Sequence, residues 1–291
     1  MKTILITTVR QQLSALLAVA LLTIATQTAV AQQSTATTQT VAGQTTDASA
    51  TAPVVVMLGD SNTFIGGDDC LNPKGWNYWF AKRWPEARCR SYARSGATWT
   101  NTPSTRRNTE EYTGVLANDN VIYNQVERLF EACDQQRQAP PSIIIISVGT
   151  NDAWFNAQRP AAFTQSAADA FADSDSTLLR RQPAEVLTLA ASVRYCCTLL
   201  RQRFPAARLV LVSPMQTTAA PDSLIHQAGD LIEACAHRLQ ALTIRLDKDS
   251  RVVSAQESRR KVYTTDGTHT SLRGAKYNGR LIADRVRDVG H

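Results

Sequence analysis

Short apolar runs alternate with amphipathic stretches along most of this chain. Val54–Leu58, which contains three β-branched residues, and Ser142–Val148, which contains four consecutive isoleucines, predict strands buried on both faces. Further strands are predicted at Arg88–Ala93, Arg208–Ser213 and Thr243–Leu246. Helical patterns occur at Trp76–Trp84, Tyr123–Gln138, Pro183–Phe204, Leu224–Leu242 and Leu272–Val289. This alternation predicts an α/β fold, a three-layer α/β/α sandwich with a central parallel sheet.

The N-terminal stretch Met1–Ala31 has the pattern of an export signal. Lys2 and Arg10 give a positive start to an apolar run, and Ala29–Ala31 is a small-x-small cleavage site. The apolar run is too short to span a bilayer comfortably. We therefore expect cleavage before Gln32 and a periplasmic or extracellular protein, with an uncleaved membrane anchor as the alternative.

Composition divides the rest of the chain in two. Residues 32–52 are rich in Ser, Thr and Gln and predict a flexible linker, since so few apolar groups cannot form a core. Residues 53–291 have the length of one α/β domain. The whole chain carries a net charge of +6, and removal of Lys2 and Arg10 leaves +4. Without a long Lys/Arg run, this mild charge does not indicate nucleic acid as a partner, nor do we expect stable membrane insertion after signal cleavage.

Six cysteines are compatible with disulfides in an exported protein. The sequence cannot choose among the pairings, and Cys70 with Cys89 is the pair to examine first. No C-x-x-C pair and no His/Cys cluster has the spacing of a zinc site, so no metal is predicted.

Polar turns follow three of the predicted strands, at the edge where open α/β sheets bind their ligands. Ser61 lies in Gly59-Asp60-Ser61-Asn62, where it is either a helix N-cap or a nucleophile. Gly96 follows the second strand, and its backbone N–H is a candidate oxyanion donor. Asn151, in Gly149-Thr150-Asn151-Asp152, offers a side-chain N–H for the same purpose. Each of these turns also has an ordinary structural interpretation.

Near the C-terminus, His269 lies in a turn with Asp266 three residues before it. A carboxylate so placed can hold one imidazole nitrogen and leave the other for a serine hydroxyl. The order Ser61, Asp266, His269 would then supply nucleophile, orienting acid and base. A surface histidine beside an Asx turn is the alternative.

Four short stretches of this chain together resemble the four sequence blocks of the SGNH hydrolases, also called the GDSL esterase/lipase family. They are Gly59-Asp60-Ser61, Ser95-Gly96, Gly149-Thr150-Asn151-Asp152 and Asp266-Gly267-Thr268-His269. The resemblance implies a Ser–His–Asp triad of Ser61, His269 and Asp266. It also implies an oxyanion hole formed by the Ser61 and Gly96 backbone N–H groups and the Asn151 side chain. Asn62 stands where the family most often has leucine, and Thr270 where proline often follows the histidine.

The resemblance implies a serine esterase that needs no cofactor, and the N-terminal signal pattern predicts that it is secreted. Acetyl esters on carbohydrate, as a small molecule or a polysaccharide, are the expected substrates, because Trp99, Trp154 and Phe155 follow the block residues and could stack on sugars. Core packing is the alternative for these aromatic residues. An acyltransferase on the same scaffold and a non-catalytic carbohydrate-binding protein are the competing functions. The oligomeric state is left open.

Overall fold

The computed structural model of this chain describes residues 52–110 and 117–288. The expected signal peptide, nearly all of the expected linker and the last three residues lie outside this part. The described residues belong to one compact unit.

The described residues form a five-stranded sheet in the order β2-β1-β3-β4-β5. Every neighbouring pair is parallel. The strands are β1 Val54–Gly59, β2 Arg88–Ser91, β3 Ile143–Ser147, β4 Arg208–Val212 and β5 Leu242–Ile244. This order is one of the two common doubly wound arrangements, so the predicted α/β/α fold is confirmed.

Side chains of the central strands alternate between two separate cores. Val56 and Leu58 of β1 point into one apolar cluster, which also contains Ile144 and Ile146 of β3. Val55 and Met57 belong to the other cluster. A strand buried on both faces explains the unbroken apolar runs of the sequence, and it requires a layer of helices on each side.

The helices are α1 Ser61–Phe64, α2 Trp76–Arg83, α3 Ile122–Asp134, α4 Thr150–Trp154, α5 Ala167–Ala170, α6 Asp175–Leu178, α7 Leu189–Arg203, α8 Asp222–Arg238, α9 Leu246–Asp249, α10 Ser254–Glu257 and α11 Leu272–Asp288. Helices α2 and α11 pack together on one face of the sheet, and α3, α7 and α8 cover the other.

One predicted helix begins later than expected. Pro183–Glu185 is a separate 3-10 turn, and α7 starts only at Leu189. The hydroxyl of Thr188 accepts a hydrogen bond from the backbone N–H of Ala191 at 3.3 Å and caps the helix. Pro183 therefore begins a separate 3-10 turn and not, as the sequence predicted, the first turn of α7.

All six cysteines lie in the described part and are free thiols, so Cys70 and Cys89 are not bonded to each other. Cys196 and Cys197 of α7 and Cys235 of α8 are packed inside the larger apolar core. In the stretches 52–110 and 117–288, no helix combines the length and the apolarity needed to cross a membrane. Those stretches also hold no group of three or more His, Cys, Asp or Glu arranged around a metal position.

Candidate active site

Ser61 is the first residue of α1, directly beyond the carboxyl end of β1. The strand approaches β3 so closely here that a Cβ on Gly59 would lie 2.5 Å from the carbonyl oxygen of Ser147. Only glycine fits at this point. The Asp60 carboxylate caps α1 by accepting the backbone N–H of Asn62 at 3.1 Å. The nucleophile candidate is thus held by a strand end and by a capped helix turn.

His269 lies in a tight hairpin closed by an antiparallel bridge between Thr264 and Thr270. Gly267 turns this hairpin with φ +98°, and a Cβ there would lie 2.0 Å from the hydroxyl oxygen of Thr218. One carboxylate oxygen of Asp266 accepts the backbone N–H of Thr268 at 2.8 Å and that of His269 at 2.7 Å. The backbone therefore fixes the Asp266 carboxylate beside the imidazole.

Ser61, His269 and Asp266 form a continuous chain of hydrogen-bonding groups. Nε2 of His269 lies 3.0 Å from Oγ of Ser61, and Nδ1 lies 2.6 Å from the second carboxylate oxygen of Asp266. If Nδ1–H donates to the carboxylate, Nε2 is left to accept the serine proton. Partial burial raises the pKa of Asp266, but the hydrogen bonds from His269 and Thr268 outweigh it and bring that pKa below its ordinary value.

Asn62 joins the turn that contains Ser61 to the hairpin that contains His269. The sequence analysis did not predict this role. Its amide nitrogen donates to the carbonyl of Thr268 at 3.2 Å, and its amide oxygen accepts the backbone N–H of Thr270 at 3.0 Å. The two bonded residues flank His269, and Asn62 is only 9% exposed. Asn62 therefore holds both sides of the imidazole-bearing residue.

The structure brings the Gly96 loop to the end of β1 and to Asn151. The backbone N–H of Arg94 donates to the carbonyl of Gly59 at 3.1 Å. The side-chain nitrogen of Asn151 donates to the carbonyl of Ala97 at 2.8 Å, which occupies one of its two N–H groups. Gly96 itself has φ +74°, the left-handed region that favours glycine.

Two buried polar residues that the sequence analysis did not single out hold these loops together. The carboxylate of Asp152 accepts the backbone N–H groups of Trp99 and Thr100, both at 3.0 Å, and the hydroxyl of Thr100 at 2.8 Å. The amide of Gln125 makes two bonds of 2.9 Å with the backbone of Gly59. In the sequence, Asp152 was marked only as the last residue of the Gly149-Thr150-Asn151-Asp152 block. Gln125 lies within a predicted amphipathic helix, and nothing in the sequence distinguishes it from the other polar residues there.

The aromatic candidates for sugar stacking separate into two groups. Trp99 is fully buried in the larger apolar core, so its expected role as a sugar platform is wrong. Trp154 is 41% exposed and stacks on Phe155, with ring centroids 5.0 Å apart and planes at 13°. The two-ring face of Trp154 and Phe155 remains a candidate for substrate contact.

Asp60 is a buried carboxyl of the site whose pKa is raised. It is 3% exposed, and its burial raises its pKa to about 6, although the hydrogen bond from Asn62 and the neighbouring Thr150 oppose this. The electrostatic influence of His269 acts in the same lowering direction. A group that titrates near pH 6 therefore lies directly before Ser61.

The sequence profile of the GDSL-like lipase/acylhydrolase family matches residues 57–277 of this chain. This match covers most of the chain and contains Ser61, Gly96, Asn151, Asp266 and His269. The chain belongs to the GDSL-like lipase/acylhydrolase family. Among curated protein sequences, none matches the chain significantly.

Solved structures show the same fold at low sequence identity. A possible lipase from Chitinophaga pinensis is 15% identical, with a TM-score of 0.54 over 82% of this chain and 99% of its own. A candidate GDSL-like lipase from Bacteroides ovatus is 16% identical, with a TM-score of 0.51 over 81% and 98%. One from Parabacteroides merdae is 15% identical, with a TM-score of 0.51 over 81% and 96%.

Proposed function

We propose that this protein is an exported serine esterase that hydrolyses short-chain esters, above all acetyl esters on carbohydrate, through an acyl-enzyme. One observation carries the proposal: His269 lies within hydrogen-bond distance of both the Ser61 hydroxyl and the Asp266 carboxylate, at 3.0 and 2.6 Å. These are the distances that a nucleophile, a base and an orienting acid require.

In the proposed reaction, Nε2 of His269 takes the Ser61 proton as the serine oxygen attacks the ester carbonyl. The tetrahedral intermediate collapses when the protonated imidazole gives that proton to the leaving alcohol. Water then attacks the acyl-serine, again with His269 as base, and releases the acid. The Asp266 carboxylate orients the ring and stabilises its positive charge throughout.

The proposed oxyanion hole uses groups that still have donor capacity. Within the described residues, the backbone N–H groups of Ser61 and Gly96 donate to no protein acceptor. Asn151 retains its second side-chain N–H beside the bond to Ala97. Loss of one such donor typically reduces kcat by about 10²–10³.

A polymeric or sugar-bearing ester suits the openness of the site. The side chains of His269 and Asp266 are 30% and 53% exposed, so a bulky alcohol can approach the reacting groups. Trp154 offers an exposed apolar face in the helix that carries Asn151. Such a face is suited to the apolar side of a sugar ring, because an aromatic ring buries area with little conformational cost.

The test compares Ser61→Ala with the wild type, and with Ser104→Ala as a matched control at an exposed serine. Hydrolysis of 4-nitrophenyl acetate should be abolished by Ser61→Ala and unchanged by Ser104→Ala, with circular dichroism showing both proteins folded. Retained turnover by Ser61→Ala would remove this serine from the mechanism. Product analysis with a sugar acceptor added separates release of free acid from acyl transfer to the sugar.

A further inference from the structure

The segment that carries His269 also carries nearly all of the chain's net positive charge. Residues 251–285 contain eight Lys or Arg and three Asp or Glu, which gives 8 − 3 = +5. The whole chain has a net charge of +6. Charge concentrated in this way creates a local positive potential that attracts anions toward one part of a surface.

The three carboxylates of this segment are already engaged. Glu257 accepts the backbone N–H groups of three residues between positions 262 and 264, at 2.9–3.0 Å. Asp266 is bonded to His269, and Asp284 pairs with Arg83 at 2.7 Å. The negative charges are therefore committed to the protein's own contacts, and the cations are the groups left to meet a ligand.

Four of these cations line one groove with a volume of about 400 Å³: Arg251, Arg273, Lys276 and Arg280. Arg273, Lys276 and Arg280 project from one side of α11, because residues three and four apart share a helix face. All four are exposed, and none forms an ion pair within the described part of the chain. Asp284 also lines the groove but is paired with Arg83, so the groove presents net positive charge to solvent.

Two tyrosines of the groove hold the arginine heads in place. The guanidinium carbon of Arg251 lies 4.8 Å from the ring centroid of Tyr277, and that of Arg273 lies 5.3 Å from the ring centroid of Tyr263. A guanidinium that lies on an aromatic ring is pre-organised and keeps its N–H fork available for a carboxylate. These contacts reduce the entropy lost when a ligand binds.

The groove shares one residue, Tyr263, with the backbone that leads into the hairpin of the reaction site. Tyr263, one wall of the groove, accepts the backbone N–H of Ser271 at 2.9 Å through its carbonyl. The neighbouring residues Thr264 and Thr270 form the antiparallel bridge that closes the hairpin containing His269. The groove wall and the hairpin that carries His269 therefore belong to one hydrogen-bonded stretch of backbone.

We propose that this cationic groove, lined by Arg251, Arg273, Lys276 and Arg280, binds the carboxylate groups of an acidic polysaccharide whose ester is the substrate. The proposal rests on the esterase function proposed above and narrows its carbohydrate substrate to chains of carboxylate-bearing sugars. Arg binds carboxylates through two parallel N–H···O bonds, which a neutral sugar cannot supply. A groove favours a linear chain over a membrane surface, because membrane binding also requires a broad apolar face.

The test measures binding separately from hydrolysis. Polygalacturonate, an unesterified acidic chain, is titrated calorimetrically at low salt into the full mature protein carrying Ser61→Ala. Binding should be retained in this variant and should weaken as salt rises. The double variant Arg273→Glu with Arg280→Glu should weaken the binding of polygalacturonate at least tenfold. The control Arg137→Glu with Arg180→Glu makes the same change of charge outside the groove and should change this affinity less than twofold.

In a background with Ser61 intact, the groove variant should raise KM for acetylated pectin at least tenfold and leave 4-nitrophenyl acetate hydrolysis within twofold of the wild type. Arg273→Gln with Arg280→Gln, a milder change, should show the same direction if the charge reversal impairs folding. Equal binding by wild type and groove variants would overturn the proposal. So would tighter binding of anionic vesicles, duplex DNA or a neutral galactan than of polygalacturonate. Because binding needs no nucleophile, its failure is distinguishable from a failure of the esterase mechanism.

Discussion

Replacement of Asn62 by alanine should slow ester hydrolysis without altering any of the three reacting side chains. The change removes two buried hydrogen bonds, to the carbonyl of Thr268 and from the backbone N–H of Thr270. Each such bond contributes about 0.5–1.5 kcal/mol net, so the hairpin loses about 1–3 kcal/mol of positional restraint. If that restraint acts on the reactive position of His269, kcat/KM should fall by about 5- to 150-fold.

The assay is steady-state hydrolysis of 4-nitrophenyl acetate, well below the melting temperature of every variant. We expect the loss in kcat, because Asn62 restrains the imidazole and this small substrate has no need of its amide. Asn62→Asp should be intermediate, since it keeps an acceptor for the N–H of Thr270 and lacks the donor for Thr268. Asn72→Ala removes an amide from a nearby exposed loop and serves as the control. A folded Asn62→Ala protein with kcat/KM within twofold of the wild type would refute the reasoning.

Three further changes test neighbouring parts of the account. Asp266→Asn should lower kcat by about 10³–10⁴, because an amide favours the wrong imidazole tautomer; a near-normal rate would mean that another group orients His269. The pKa of Asp60 is about 6 in the folded protein and 3.8 ordinarily, so the folded state binds the Asp60 proton more tightly than the unfolded state does. Ionisation of Asp60 therefore lowers the free energy of unfolding as the pH rises from about 4 to about 6. Asp60→Asn should therefore be more stable than the wild type above pH 6, by roughly 1–3 kcal/mol in urea denaturation, with the difference closing at pH 4; a difference independent of pH would contradict this. Trp154→Ala should raise KM for acetylated pectin several-fold and leave 4-nitrophenyl acetate hydrolysis unaffected, whereas equal effects on both substrates would exclude Trp154 from sugar contact.

The sheet was readable from the sequence because it depends on local patterns. Four isoleucines at 143–146 have no other stable place than between two helical layers, and the structure buries all of them. The loop that contains Ser61 follows from the same logic, because polar residues at strand ends gather at one edge of a parallel sheet. The hairpin that contains His269 follows no strand of the sheet, and it was found from the Asp266 carboxylate three residues before the histidine and from the resemblance of the four blocks. The meeting of Ser61 and His269 across 208 positions was anticipated from that resemblance.

Residues whose roles depend on distant partners could not be predicted in this way. The amide of Asn62 gains its meaning from a carbonyl 206 positions away, and that of Gln125 from a strand end 66 positions away. Trp99 shows the reverse case, because the sequence suggested a functional role and the structure shows a residue of the core. A large aromatic after a polar turn fits either a ligand platform or a core, and here the bond from its backbone N–H to Asp152 accompanies a side chain turned inward.

Covalent labelling tests the central claim most directly, because a fluorophosphonate reacts much faster with an activated serine than with an ordinary one. The intact protein is treated with the reagent, and the adduct is mapped by peptide mass spectrometry. The account predicts one adduct, on Ser61, formed at a rate that Asp266→Asn and Asn62→Ala both reduce. An adduct on another serine, or no adduct in protein that still hydrolyses 4-nitrophenyl acetate, would contradict it.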